Sequence, residues 1–284
     1  MVPSIDIALK DMMNESLCEL EEALDSDVLT YMGSIVDGIE NDILSIVEDL
    51  AKSEDKREQL AIILTTNGGS ASAVERYVNI IRHNYKRVIF IVPDCAYSAG
   101  TIFCMSGDDI WMDYFSVLGP IDPQVPNKDG KYVPALGYLD KINELIEKAK
   151  NGTLTNAEFL ILKDFDLAEL KYYEQAKDLT ITLLKKWLVK YKFKDWTAHH
   201  DGRPVTIDEK RKTAESIASK LGDNNEWKSH GRPIDIEELM ALHLKITDYS
   251  GLPVRDKIRN YYKLIRDYVG KNKYPIFIHT RKFI

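Results

Sequence analysis

The chain has 284 residues, 44% of them hydrophobic, which suits one large domain or a domain with a helical appendage. Its 45 acidic and 38 basic side chains give a net charge of −7, which argues against a nucleic-acid partner because such proteins present a basic face. No stretch approaches the ~20 apolar residues of a membrane span, and residues 1–10 lack the basic and apolar regions of a signal peptide. We therefore expect a soluble, cytoplasmic protein without a transmembrane segment, for which peripheral membrane association stays open.

The cysteine and glycine motifs argue against a bound metal or nucleotide cofactor. Cys18, Cys95 and Cys104 form no Cys-x-x-Cys pair, so we predict neither a zinc site nor a disulfide framework. Cys95 and Cys104 lie on apolar segments and are expected to be small buried side chains. The sequence contains no GxxxxGK[ST] motif and no GxGxxG motif after a strand. We expect no cofactor and no metal.

Residues 1–57 have the pattern of an acidic, helical N-terminal extension. Through residues 35–52, apolar side chains recur at helical spacing, at Ile35, Ile39, Ile43, Ile46 and Val47. The charged run 53–57 then marks a boundary. We predict the main domain to cover residues 58–250.

Three short apolar runs rich in β-branched residues predict strands buried on both faces, at residues 60–65, 87–92 and 109–113. Helical patterns separate them, and Ser70 is placed to cap the first of these helices. A strand–helix–strand–helix–strand order predicts a parallel α/β sheet. Ligands in such sheets collect at the carboxyl ends of the strands.

Beyond Pro134 the chain is predominantly helical in pattern, with helices predicted over residues 134–149, 155–190 and 207–221. Residues 251–284 are predicted to form a C-terminal helix followed by an edge strand at 274–279. Pro275 is compatible with a strand only at the edge of a sheet, because it cannot donate a ladder hydrogen bond.

Two motifs follow successive predicted strands and carry the chemistry of the chain. Residues 65–70 (TTNGGS) supply bare backbone amides at Gly68 and Gly69, where a side chain would obstruct a ligand. Residues 96–101 (AYSAGT) place the Ser98 hydroxyl at a strand-to-helix turn, and the Ala99 amide follows at the helix N-terminus. A serine nucleophile and an oxyanion hole are the parts that acyl transfer needs most.

The stretches TTNGGSASA, PDCAYSAGTIFCMSGDDIWMD and SVLGPIDPQV resemble the serine dehydrogenase proteinase family of the Clp protease and crotonase superfamily, which is related to signal peptide peptidase A. The resemblance covers about residues 60–126, with a weaker echo at 229–239. It implies an α/β Clp/crotonase-like spiral of ββα units over residues 58–250, with Ser98 as nucleophile and Gly68, Gly69 and Ala99 around the oxyanion. It also implies a homo-oligomer that acts on peptides or unfolded proteins.

The general base is not fixed by the sequence. Clp-type relatives keep a histidine a few tens of residues after the nucleophile, whereas residues 119–124 here contain none. Relatives of the signal-peptide-peptidase type use a lysine instead, and Lys141 has a plausible spacing, provided that burial lowers its pKa. His230 is the other candidate, with Asp122 or Asp235 to orient it.

Other functions are compatible with parts of the pattern. Residues 96–100 are a loosened G-x-S-x-G elbow, and Asp223 and His230 could complete the triad of an α/β-hydrolase. A crotonase-like acyl-CoA enzyme would use the oxyanion hole without Ser98, and a catalytically inactive scaffold would use neither. We predict an ATP-independent serine peptidase with Lys141 or His230 as base.

Overall fold

The computed structural model of the chain describes residues 4–126 and 132–283. The strands within these ranges are β1 (Asp27–Gly33), β2 (Gln59–Thr65), β3 (Arg87–Val92), β4 (Cys95–Ala96), β5 (Asp109–Met112), β6 (Val117–Leu118), β7 (Gln124–Pro126), β8 (Tyr132–Pro134), β9 (Thr247–Asp248) and β10 (Ile276–His279). The helices are α1 (Ser4–Leu24), α2 (Glu40–Ala51), α3 (Ala71–Asn84), α4 (Ala99–Cys104), α5 (Ala135–Lys150), α6 (Asn156–Lys163), α7 (Leu167–Trp187), α8 (Ile207–Leu221), α9 (Asn224–Trp227), α10 (Ile236–Ala241) and α11 (Arg255–Asn272). A π-helical segment, Leu188–Lys192, follows α7. None of the helices in these ranges is both long enough and apolar enough to cross a membrane.

A central six-stranded sheet has the order β10-β1-β2-β3-β5-β9. Within this sheet the five strands β1, β2, β3, β5 and β9 run parallel to one another, and β10 runs antiparallel to β1. In the register of the sheet, Leu60 pairs with Asp27 on one side and with Val88 on the other. The predicted parallel α/β sheet is confirmed.

Helices cover both faces of the sheet, which is why its central strands are apolar throughout. Successive residues of β2 face opposite layers: Ile62 belongs to the core cluster that includes residues of α2, α3, α4, α7 and α8, whereas Ile63 belongs to the cluster that includes residues of α1 and α11. Both side chains are buried, and burial of each contributes about 1.5–3 kcal/mol to folding. The sheet is therefore a rigid base for the loops at its carboxyl edge.

Strand β1 lies inside the segment that the sequence predicts to be helical. Its first residue, Asp27, is fully buried and forms an ion pair of 2.7 Å with Arg281 from the other end of the chain. Local pattern cannot predict such a strand, because the partner of its buried charge lies 254 positions away. The predicted C-terminal edge strand is confirmed as β10, directly after Pro275. The domain boundaries at 57/58 and 250/251 stay predictions.

A second, smaller set of pairings gathers four loops at the carboxyl edge of the central sheet. Strands β4 and β6 pair in parallel, and single bridges join Thr66 to Ala96 and Leu118 to Ile234. Four segments that are far apart in sequence thus lie side by side.

Candidate active site

Ser98 occupies a strained turn between β4 and α4. Its φ of +52° and ψ of −116° lie outside the regions that L-residues prefer, at a cost of about 1–3 kcal/mol. Hydrogen bonds on either side hold this turn: Tyr97 N donates to Thr66 O at 3.0 Å, and Gly100 N donates to Tyr97 O at 2.8 Å. The Ser98 hydroxyl makes no capping bond to α4 although it stands at the N-cap position. The turn presents this hydroxyl at the carboxyl edge of the sheet.

Gly68 packs directly against Ser98, in a space that no side chain could share. A Cβ atom on Gly68 would lie 2.9 Å from Ser98 Cβ and 2.9 Å from Tyr97 O, and the φ of Gly68 is +105°. Gly69 has a φ of +144°, and a Cβ there would lie 2.0 Å from Ile35 O. The loop after β2 is therefore wedged between the Ser98 turn and the end of β1, and only glycine fits at both positions.

The backbone N–H groups around Ser98 differ in whether they are already engaged. Gly68 N donates to Thr66 Oγ1 at 3.0 Å. In the described ranges, Gly69 N and Ala99 N donate to no protein group, and Ala99, the first residue of α4, has no acceptor within the helix. The Ala99 amide, next to Ser98, and the Gly69 amide, in the loop that packs against the Ser98 turn, are thus available to an oxygen atom of a ligand.

His230 and Asp122 form a hydrogen-bonded pair. His230 Nδ1 lies 2.8 Å from Asp122 Oδ1, with Asp122 buried and His230 about one quarter exposed. Of the two carboxylates that the sequence offers for orienting His230, the structure selects Asp122. Asp235 instead caps α10, where its Oδ1 accepts a hydrogen bond from Glu238 N at 2.9 Å. A carboxylate on Nδ1 fixes the tautomer whose Nε2 can accept a proton.

Thr101 ties α4 to the segment that carries Asp122. Its buried hydroxyl lies 2.8 Å from both Ala96 O and Gly119 O and accepts a hydrogen bond from Gly119 N at 3.1 Å. Leu118 and Ile234 exchange two backbone hydrogen bonds of 2.9 Å each. Asp122 lies three residues after Gly119, and His230 lies four residues before Ile234. Both members of the pair are therefore on segments anchored next to the Ser98 turn.

Lys141 does not meet the condition that the sequence sets for a lysine base. Its side chain is 53% exposed on α5, and its Nζ pairs with Glu144 Oε2 at 2.9 Å. A lysine base requires burial of its side chain, and that burial is absent here. In this structure Lys141 is a surface residue.

Cys95 lies close to Ser98 in the chain but is not placed to act as a nucleophile. Burial and, to a smaller extent, the neighbouring Asp94 carboxylate together raise the pKa of its thiol to about 11. A reactive cysteine requires the opposite shift, because the thiolate is the attacking species. Among the residues that the structure describes, no group of three or more His, Cys, Asp or Glu side chains could hold a metal ion.

Sequence reasoning missed the two threonines that hold the site together, Thr66 and Thr101. Both are buried, and each bonds to backbone groups of a loop rather than to another side chain. A threonine at the end of an apolar strand or in a short helix carries no local sign of such a partner. An alignment in which these hydroxyls never change would have been the signal.

Comparison of the sequence with those of known proteins finds relatives of this chain. Two uncharacterised proteins of Methanocaldococcus jannaschii are similar: MJ1495 is 29% identical over 185 residues, covering 65% of this chain and 51% of that protein. MJ0137 is 30% identical over 164 residues, which cover 54% of this chain and 51% of MJ0137. The chain thus spans about half the length of these relatives.

Among solved structures, a mutant of the 1510-N membrane-bound stomatin-specific protease is similar in part. It shares 15% sequence identity and a TM-score of 0.46, over 81% of this chain and 82% of that one. The family model of ClpP-like SDH-type serine proteinases matches residues 39–212, more than half of the chain and the part that contains Gly68, Ser98 and Asp122. The chain belongs to the ClpP-like SDH-type serine proteinase family.

Proposed function

We propose that this protein is a serine peptidase in which Ser98 attacks the peptide carbonyl and His230 is the general base. The observation that carries the proposal is the strained Ser98 turn, whose hydroxyl does not cap α4 and whose Cβ packs against Gly68. Strain of this kind persists only where the surrounding structure enforces it, and it is concentrated at functional sites. Membership of a serine proteinase family supports the same role.

Each step of the reaction has a residue in a matching role. Neutral His230 takes the Ser98 proton on Nε2 while Ser98 Oγ bonds to the carbonyl carbon, and the imidazolium then gives that proton to the leaving amine. A water molecule, deprotonated by His230 in the same way, hydrolyses the acyl-enzyme and regenerates Ser98. Asp122 keeps His230 in the required tautomer and stabilises its charged form.

We assign the oxyanion hole to the N–H groups of Gly69 and Ala99. Both lack a protein acceptor in the described ranges, whereas the Gly68 N–H is held by Thr66. Of the three residues that the sequence offers for this hole, Gly68 then has a steric role: its missing side chain leaves room for Ser98. One oxyanion donor contributes about 2.7–4 kcal/mol to lowering the barrier.

The wider setting of the activity is proposed with it. Peptides or unfolded protein segments are the substrates, and hydrolysis proceeds without ATP in the cytoplasm, in a homo-oligomer. The family's proteinase description supports the substrate class. Light scattering coupled to size-exclusion chromatography checks the oligomer, because a single species at the 32.5 kDa of one chain would contradict it.

Labelling with a fluorophosphonate tests the roles of the residues. We expect the wild type to form one covalent adduct per chain, Ser98→Ala to form none, and His230→Ala to react at least about 100-fold more slowly. Lys141→Ala is the matched control and should react like the wild type. A folded wild type that is never labelled would instead support an inactive scaffold, and loss of labelling in Lys141→Ala would return the base to lysine.

A further inference from the structure

The short helix α6 presents large apolar side chains to solvent. Phe159, Leu160 and Ile161 are 55%, 65% and 52% exposed. Leu167, four residues after α6 ends, is 81% exposed. Six of the 17 large apolar side chains that are exposed in the described ranges fall within residues 146–172. Single exposed apolar residues are normal on a protein surface, whereas a concentration of them marks a contact site.

Phe159, Leu160 and Ile161 form one broad outward side of the helix, which we call the α6 face. At 100° per residue, Leu160 points away from the half-buried Leu162, and its two neighbours flank it on either side. None of the eight residues of α6 is buried against the described part of the chain. An isolated helix of this length is marginal in water, because most helical stability comes from packing. The α6 face therefore gains stability from a partner beyond the chain itself.

The size of this surface matches what a pair of identical copies needs. A large side chain has about 150–250 Å² of surface, so the exposed fractions of the α6 face and Leu167 amount to about 500 Å². Two copies joined through this surface would bury about 1,000 Å², which is the lower limit for a specific protein interface.

The charges at the two ends of α6 are ordered for antiparallel pairing with a second copy. Glu158 lies in the first turn, and Lys163 is the last residue. The exposed Lys163 has no ion pair with any residue that the structure describes. A two-fold axis between Leu160 and Ile161 sets each Lys163 beside Glu158 of the other copy. Glu158 also pairs with Lys148 at 2.7 Å, and a carboxylate accepts about four hydrogen bonds, so it can hold both lysines.

A recess lies beside the α6 face. Its volume is about 280 Å³, and it is lined by Gly137, Tyr138, Lys141 and Phe165. Small-molecule sites are usually larger, at about 300–1,000 Å³. A contact between identical surfaces requires that one surface supply both the protruding side chains and the recess that accepts them. This part of the chain supplies both.

The surroundings of the α6 face do not favour an anionic lipid surface as its partner. Residues 144–174 contain seven acidic and four basic side chains, a net charge of −3. Apolar helix faces that enter lipid are usually bordered by an excess of lysine and arginine, which anionic headgroups attract. The charges thus favour a protein partner with matching acids and bases.

We propose that the α6 face binds the α6 face of a second copy of this chain, with the two helices antiparallel across a two-fold axis. Lys163 of each copy pairs with Glu158 of the other, and the recess of each copy takes up an apolar side chain of the other. The inference names a surface for the proposed homo-oligomer and rests on that part of the proposed function. It is independent of the peptidase chemistry.

Sedimentation of the full chain at several concentrations tests the surface. We expect Leu160→Glu to weaken association at least about 100-fold and to halve the mass of the particle, because it places two carboxylates in an apolar contact. Ile207→Glu is the matched control, since Ile207 is 51% exposed on α8. Ile207→Glu should keep the wild-type mass, and circular dichroism should show both variants folded.

A charge exchange tests the antiparallel arrangement. Lys163→Glu and Glu158→Lys should each weaken association about tenfold, because each sets like charges side by side. An equimolar mixture of the two variants should associate more tightly than either alone, since opposite charges then meet again. Mixing cannot restore the helix cap that Glu158→Lys loses, so a gain on mixing reports the contact between copies. A mixture that associates no better than its components would overturn the arrangement.

The remaining outcomes identify other partners. Wild-type protein that keeps the mass of one chain at every concentration, or a Leu160→Glu protein with the wild-type mass, would overturn the proposal. Flotation of monomeric wild type with phosphatidylcholine vesicles, lost in Leu160→Glu, would replace the second copy with a lipid surface.

Fluorophosphonate labelling of the same samples separates this inference from the peptidase activity. An oligomer that Leu160→Glu dissociates but that is never labelled would refute the peptidase and leave the interface standing. A labelled wild type whose mass is unchanged in Leu160→Glu would do the reverse.

Discussion

At the scale of single residues, the geometry of the site depends on the absence of a side chain at Gly68 as much as on the Ser98 side chain. Gly68 leaves the space that Ser98 Cβ and Tyr97 O occupy, and Ser98 itself holds a backbone conformation that most residues avoid. In this turn the backbone of Ser98 and the bare backbone of Gly68 therefore fit closely together. A single methyl group at position 68 should consequently displace Ser98, the proposed nucleophile.

Gly68→Ala is expected to reduce the rate of fluorophosphonate labelling at least about 100-fold, because the new Cβ displaces Ser98 by a distance that ruins its alignment. It should also lower the free energy of unfolding by about 1–3 kcal/mol through backbone strain. Gly38→Ala is the control, since Gly38 has a similar φ of +100° but open space around it. Gly38→Ala should lose stability and keep its labelling rate; equal rates in both variants would contradict the steric argument.

At the scale of elements, short pairings rather than long strands bring the segments of the proposed active site together. The helix α4 has six residues and β4 and β6 have two each, so local propensity contributes little to their placement. The Thr101 hydroxyl joins them, by bonding to backbone groups before and after it in the chain. Removal of this hydroxyl should loosen the site without altering any residue that meets substrate.

Thr101→Val is expected to lower the free energy of unfolding by about 1–3 kcal/mol, because buried backbone groups at Ala96 and Gly119 lose their partner. Labelling at Ser98 should slow in parallel. Thr101→Ser, which keeps the oxygen, is the matched control. Urea unfolding curves give the stabilities, and a Thr101→Val protein as stable and as reactive as Thr101→Ser would show that the hydroxyl does not tie these elements together.

The elements also show what sequence alone could predict. The strands β2, β3 and β5 and the capping of α3 by Ser70 were predictable, because each depends on a run of neighbouring residues. Strand β1 was not, since Asp27 needs Arg281 as its partner. The pairing of His230 with Asp122 was open for the same reason, as the two lie 108 residues apart.

At the scale of the whole molecule, the two ends of the chain close over one face of the sheet. Buried His279 on β10 is hydrogen-bonded through Nε2 to Asn14 of α1 at 2.9 Å and through Nδ1 to Tyr261 of α11 at 2.8 Å. Burial and, to a smaller extent, the positive charge of Lys10 together lower the pKa of His279 from 6.5 to about 4. The folded protein therefore requires the neutral imidazole.

This gives a signed pH dependence of stability. The unfolded chain takes up a proton near pH 6.5 that the folded chain refuses until about pH 4, so the stabilisation is complete above pH 6.5 and is lost as the pH falls between these values. The loss amounts to about 3 kcal/mol. His279→Gln should remove this part of the slope of unfolding free energy against pH, and exposed His243→Gln should keep it. Identical slopes in His279→Gln and the wild type would contradict the burial argument.

The most direct test of the central claim is the rate of peptide-bond hydrolysis by purified protein with no nucleotide added. A fluorescently quenched unfolded protein such as labelled casein serves as substrate, and new amino termini are counted by mass spectrometry. We predict steady hydrolysis by the wild type, none by Ser98→Ala, and wild-type rates in Lys141→Ala. Hydrolysis that survives unchanged in Ser98→Ala, or its absence in folded wild-type protein, would contradict the assignment of Ser98 as a peptidase nucleophile.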